Sequence, residues 1–331
     1  MNKALKLLAI STLSIAGQQA QAISIQFDYS YDTNNFFSSQ LRKDALDTAA
    51  NYFENRLGDS LGAITSSGSN HFNAAFLNPA TGSLTTVSNF NVAADTLYVY
   101  AGGRTFSDST IGVGGPGGYS ISASGTSQQI QDFFDASVSR GQGDGTESAT
   151  TGTAATDFAP WGGTIAFDTS ADWYFDGDVN TVESFSGNDF YSVAIHELTH
   201  LLGFGTSDSW GNQIVLTNNG TSNESGELNG VASSIENGGQ VPLNRAGAGT
   251  EEDPYRYSHW EEGTLSLVNT LSQETAMDPS IITGTRKYMT DLDMAALSDI
   301  GWEVSAVPVP AAVYFFGSAL LGLGAFRKKV K

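Results

Sequence analysis

The sequence predicts an α+β fold: strands and helices in a front half that closes on one strongly apolar helix, then a loop-rich back half. Three observations carry this. Alternating strands and amphipathic helices interleave over residues 23–167. A helical apolar stretch over 190–202 contains His196-Glu197-Leu198-Thr199-His200. From Thr206 to Tyr257 little periodicity remains, and a stretch of that kind within a domain is functional or an insertion.

Ile23, Ile25, Phe27, Tyr29 and Tyr31 alternate with polar residues and read as an opening strand. Ser39 caps a helix running to about residue 57, with Leu41, Ala45, Leu46, Ala49, Ala50, Phe53 and Leu57 on one face and Gly58 ending it. Residues 96–101 form a second strand. Residues 128–138 form a shorter helix carrying Ile130, Phe133 and Phe134, and residues 165–167 a third strand. The glycine run 112–118 (GVGGPGG) lacks the Lys-Ser/Thr ending of a phosphate loop and reads as a turn-rich loop. Asn188 or Asp189 caps the apolar helix, and Gly203 supplies its stop.

Both ends are legible. Lys3 and Lys6, the apolar run 7–15 and Ala20-Gln21-Ala22 have the three parts of a secretory signal, residues 1–22. At the other end, 20 apolar residues (307–326) precede Arg327, Lys328 and Lys329, a length and flank suited to a membrane span with a cytoplasmic end. Neither segment holds an acid, and together they hold six of the 15 basic residues. The body therefore carries 35 acids against nine bases, a net of −26. That charge disfavours nucleic acid and anionic lipid as partners. Without cysteine there are no disulfides and no thiolate ligands, so any metal is held by His, Asp or Glu.

His196 and His200, four apart on a helix, face one way and can share a metal ion, with Glu197 beside them to take a proton from water. Catalytic zinc usually has three protein ligands. His71 sits in an ordinary polar setting. His259, in Ser258-His259-Trp260-Glu261-Glu262, is the stronger candidate, and an acid such as Glu224 or Glu227 is the alternative. Asp176, Asp178 and Asn180 alternate as oxygen ligands of a calcium loop do, without the bidentate Glu at EF-hand spacing, so a solvated acidic loop is the alternative to calcium. Trp173, Trp260 and Trp302 read as packing residues.

HELTHLLGFG, then SHWEE after a long insertion, then Ala276-Met277-Asp278-Pro279-Ser280 resemble the leishmanolysin-like branch of the metzincin zinc peptidases. The resemblance implies a twisted mixed sheet with a backing helix and an active-site helix, a catalytic subdomain over 23–205 and a loop-rich C-terminal subdomain over 206–304. It implies His196, His200 and His259 as zinc ligands, Glu197 as general base and Met277 as the residue of a Met-turn. Thr206 stands six after His200, where a compact metzincin has its third histidine. Gly162-Gly163-Thr164-Ile165-Ala166-Phe167-Asp168 is similar to the edge strand that aligns substrate in this family, and residues 288–302 to its closing helix. Unlike the leishmanolysins, the chain has no cysteine. Residues 305–331 resemble a PEP-CTERM-type sorting tail of the VPxPA variety, which implies an exosortase-type enzyme as partner and transient membrane anchoring in a Gram-negative-type bacterium. The function expected is an exported zinc metalloendopeptidase acting on proteins or peptides. Tyr255, Tyr257 and Tyr288 are candidates for steadying the oxyanion. The rivals are a non-catalytic zinc-containing surface or biofilm matrix protein, against which the intact Glu197 argues, and a metal-dependent amidase acting on cell-wall peptide.

Overall fold

The computed structural model describes residues 23–181, 183–245 and 254–305. The expected signal segment, 1–22, and the expected membrane-spanning stretch from 307 lie outside them. Among the described residues no helix is long and apolar enough to cross a membrane.

The chain opens with β1 (Ser24–Asp28) and α1 (Gln40–Glu54). Ser39 caps α1 by accepting the Arg42 N–H. Ala45, Leu46, Ala49, Ala50 and Phe53 are buried, but Leu41, expected on that face, is exposed. The helix stops at Glu54, earlier than expected, and Leu57 forms a bridge to Val304. There follow β2 (His71–Leu77), β3 (Leu84–Val87), β4 (Thr96–Arg104), β5 (Gly112–Pro116) and β6 (Gly118–Ser122). A capping box of Thr126 and Gln129 starts α2 (Ser127–Val138), and α3 (Glu147–Thr150) is a single turn. Then β7 (Gly162–Asp168), β8 (Trp173–Tyr174) and β9 (Asn188–Asp189) lead into α4 (Phe190–Leu201).

The main sheet runs β1-β4-β7-β5, with the first three strands parallel and β5 antiparallel. Successive side chains of a strand point to opposite faces, and β4 shows it. Leu97, Val99 and Ala101 join the core beneath α1 and α4, whereas Tyr98 and Tyr100 face Phe72, Phe76 and Trp161 under a second sheet, β3-β2-β6. This is the expected α+β arrangement: a twisted mixed sheet, a backing helix α1 and an active-site helix α4.

Two expectations are corrected. The glycine run 112–118 is not a loop but forms β5 and the start of β6. The edge beside the helix is therefore β5, and Gly162–Asp168 lies inside the sheet, buried along its whole length. Gly162 and Gly163 are needed there for packing: a Cβ at Gly163 would lie 2.1 Å from the Gly115 oxygen.

The unpatterned back half folds into short pieces. These are α5 (Asp208–Gly211), β10 (Ile214–Thr217), β11 (Ser225–Leu228), α6 (Val231–Asn237), β12 (Val241–Asn244), β13 (His259–Trp260), β14 (Leu265–Val268), β15 (Leu271–Glu274) and α7 (Asp291–Asp299). The strands β10 to β13 make an antiparallel sheet, each too short to show a period in the sequence. One core runs from Ile23 to Trp302 and takes in both halves. Trp260 and Trp302 are fully buried and Trp173 packs on Phe167 and Phe190, as packing residues do.

Candidate metal centre and active site

Asp189 caps α4, accepting the Ser192 N–H at 3.0 Å and its hydroxyl at 2.6 Å, and Arg286 clamps the same carboxylate at 2.8 Å. The helix so anchored presents His196 and His200 on one face. It ends at Leu201, where Gly203, at φ +103°, turns the chain; a Cβ there would lie 2.5 Å from the Phe158 ring. The turn returns the Phe204 carbonyl to accept the His200 Nδ1–H at 2.9 Å. His259 arrives on β13, held by pairing with Asn244 of β12 and by its buried neighbour Trp260.

The structure thus brings His196, His200 and His259 together, with Nε2 atoms 3.1, 3.1 and 3.2 Å apart. Each Nδ1 is engaged elsewhere: His196 on the Ala276 carbonyl at 2.7 Å, His200 on Phe204, His259 on the Ser258 hydroxyl at 3.1 Å. With the protons on Nδ1, three lone pairs converge on one point, which requires a cation between them. Tetrahedral zinc with bonds of about 2.0–2.1 Å sets its nitrogens roughly 3.3 Å apart, so these residues fit zinc. Burial holds His196 down at about 3 and His200 at about 4, and it lowers His259 further, so all three stay neutral, the form that ligates.

Glu197 is buried beside this centre beneath β5. A Cβ at Gly114 would lie 2.2 Å from the Glu197 carbonyl oxygen, and one at Gly112 would lie 2.6 Å from its carboxylate. Glycine is therefore required at both places by a strand pressed onto the helix. Burial pushes the Glu197 carboxyl up to about 8, against the lowering effect of the Gly114 N–H. That value suits a group that takes and returns a proton near neutrality. A cleft of about 650 Å³ opens over the histidines and Glu197, between β5 and the segment Pro279 to Ile281.

Met277 is fully buried behind the site. The carbonyl of its neighbour Ala276 orients His196, and its own carbonyl accepts the Trp260 N–H at 3.0 Å. The buried Asp293 ties this turn together. It accepts from Ala276 N at 2.9 Å, Met277 N at 3.3 Å and the Trp260 indole at 2.9 Å, while forming the cap of α7 with Thr290. Reasoning from sequence missed Asp293, whose only signal is the Thr290–Asp293 capping spacing. It also missed Gly112 and Gly114, where glycine interrupting an apolar alternation marks close backbone approach.

The other candidates lie apart. Glu224 is committed to Arg256 at 3.1 Å and to the Tyr257 hydroxyl at 2.9 Å, and neither it nor Glu227 belongs to the histidine cluster. Tyr257 is thereby spent, and the Tyr288 hydroxyl donates to the Val179 carbonyl at 2.6 Å, so neither hydroxyl is free to steady an oxyanion. His71 faces Asn89 on β2. Asp176 is paired with Arg286 at 2.6 Å, and Asp178 accepts from Asn180, as in a self-contained turn. A second acidic group is made of Glu262, Glu274 and Asp278, of which the last two hold Lys287, its ammonium 2.9 Å from Glu274 and 2.5 Å from Asp278.

A three-imidazole centre beside a buried carboxylate, open to a cleft under an antiparallel edge strand, defines the class as a zinc-metallopeptidase type of site. The matrixin family model matches residues 126–228, a span that holds His196, Glu197 and His200 and ends before His259 and Met277. That match supports a zinc metallopeptidase of the metzincin type. No curated protein matches the chain.

Proposed function

We propose that the chain is an exported zinc-dependent metalloendopeptidase with a displaced third histidine, in the manner of the leishmanolysin-like branch. The single observation that carries this is the convergence of three Nε2 atoms beside Glu197 in an open cleft. His259 lies 59 residues after His200, and Met277 stands behind it, which supports the branch. The signal segment and the VPxPA tail support export and handling by an exosortase-type enzyme.

His196, His200 and His259 would hold the zinc. When bound, zinc supplies a Lewis acid that lowers the pKa of water and polarises a carbonyl. Among the described residues no strand pairs with the outer edge of β5, so its backbone groups can add an extended peptide as a further strand across the cleft. Glu197 then takes a proton from the attacking water and returns it to the departing amine nitrogen. Val193 and the β5 glycines pack close to that carboxyl and keep it largely buried.

A non-catalytic zinc-containing matrix protein would use a closed structural site, whereas this one opens on a cleft with a base at its wall. The test is zinc content by elemental analysis together with cleavage of a mixed peptide library. Glu197→Gln should keep zinc and lose about 10²–10⁴ in rate. His259→Ala should lose both. Unchanged zinc in His259→Ala would sink the ligand assignment, and undiminished cleavage by Glu197→Gln would sink the mechanism.

A further inference from the structure

We propose that an apolar pocket at the Pro116 end of the cleft is a substrate subsite. It would take a leucine-, methionine- or phenylalanine-sized side chain about two to three residues from the scissile bond. The inference rests on the peptidase reading above. The pocket has a volume of about 160 Å³, and an apolar cavity of about 150 Å³ is large enough to take benzene. Its walls are Tyr119, Val138, Phe158 and Trp161. Tyr119, 39 % exposed, stacks on the buried Phe72 at 5.7 Å and 22° and offers part of its surface to the pocket.

Four of the polar groups around it are already used, while the Asp208 carboxylate also lines it. The Thr150 and Thr151 hydroxyls both donate to the Glu147 carbonyl, Thr206 donates to the His200 carbonyl at 2.6 Å, and the Trp161 indole donates to Gly118 at 3.0 Å. With these groups satisfied internally, an apolar side chain is the guest they fit. Glu147 and Asp208 are near enough to Tyr119 to assist burial in pushing its phenol up to about 12. Acidic side chains are therefore repelled.

Continuity with the catalytic cleft sets the distance. Thr206, bonded to the backbone of a zinc-ligand residue, lines both cavities, and Pro116 and Gly117 prolong the strand whose Gly112 and Gly114 cover Glu197. A peptide paired along that edge advances about 3.3 Å per residue, so passing from Gly114 to Pro116 or Gly117 spans two or three residues. The pocket lies at one end of the strand only. Across the cleft from the strand lies the segment Pro279 to Ile281.

The experiment is positional profiling of cleavage by the zinc-loaded protein, beside Thr151→Trp, which fills the pocket, and Tyr119→Ala, which removes its exposed wall. The parent should favour Leu, Met or Phe over Ala, and disfavour Asp and Glu, at one position two or three residues to one side of the cut. The preference over Ala should be roughly ten- to a hundredfold in kcat/KM. Both variants should lose that preference, and Tyr119→Ala serves where the larger residue at 151 disturbs folding. Cleavage with a flat profile at those positions, or a preference intact in both variants, overturns the subsite alone. No zinc-dependent cleavage of any peptide overturns the peptidase reading and the subsite with it.

Discussion

Gly114→Ala is the sharpest test of how the edge strand serves the site. The added methyl would sit 2.2 Å from the Glu197 carbonyl oxygen and 2.8 Å from its Cβ. Ordinary contact begins near 3.4 Å, so strand and helix must separate by about 1 Å at the residue that carries the base. Overpacking of that kind costs about 1–3 kcal/mol of stability. A displacement of about 1 Å at a reacting group costs about 10²-fold in rate. Zinc should stay, because all three imidazoles are oriented by Ala276, Phe204 and Ser258 rather than by β5. The assay is kcat/KM on a cleaved library peptide, with zinc content and thermal unfolding measured alongside. Gly115→Ala is the control, since a Cβ there meets nothing within 4 Å. If Gly114→Ala keeps full activity and the parental melting temperature, the close packing of β5 on Glu197 plays no part in catalysis and the reasoning fails.

Three further outcomes are expected. Asp293→Ala orphans several buried donors at about 1–3 kcal/mol each, so thermal unfolding should show a loss of about 3 kcal/mol or more, with zinc affinity reduced about 10–100-fold. A variant that binds zinc as the parent does would refute the link between Asp293, the turn at Ala276 and Met277, and the metal centre. Lys287→Met leaves the buried Asp278 without its cation, and denaturant titration should show about 3–5 kcal/mol lost. For the zinc-free protein, His196 and His200 stay neutral in the fold down to about 3 and 4 because burial disfavours imidazolium. Unfolded histidine protonates near 6.5, so the unfolded state binds more protons below that pH. The contribution of these two histidines to stability should be complete above about pH 6.5 and fall as pH drops towards 4, by roughly 1.4 kcal/mol per imidazole per pH unit, while the raised Glu197 carboxyl acts in the opposite sense. Zinc-free His200→Ala should therefore lose less stability between pH 7 and 5 than the zinc-free parent, and an identical pH dependence in the two would contradict this.

What was readable from the sequence is what depends on neighbours along the chain. The pair His196 and His200 faces one way because four residues make about one helical turn. Ser39 and Asp189 cap their helices through donors within three residues. Residues 96–101 and 165–167 announce strands by their apolar character. The back half was illegible because strands of two to four residues leave no period, although they are what carries His259 to the metal. The glycine run at 112–118 was misread for a related reason. Glycine signals a turn by composition, whereas these glycines answer to the helix packed against them.

The sequence by itself determined the HExxH helix, the α+β class, the absence of thiolate ligands and the candidacy of His259. Only the tertiary structure decided that β5 rather than β7 borders the site, and that Asp293 holds the turn behind it. It also decided that Glu224 and Asp176 are committed to arginines. The physical reason is separation along the chain. Each of these contacts joins residues far apart in sequence, where neither spacing nor propensity reaches and only packing in three dimensions selects the partner.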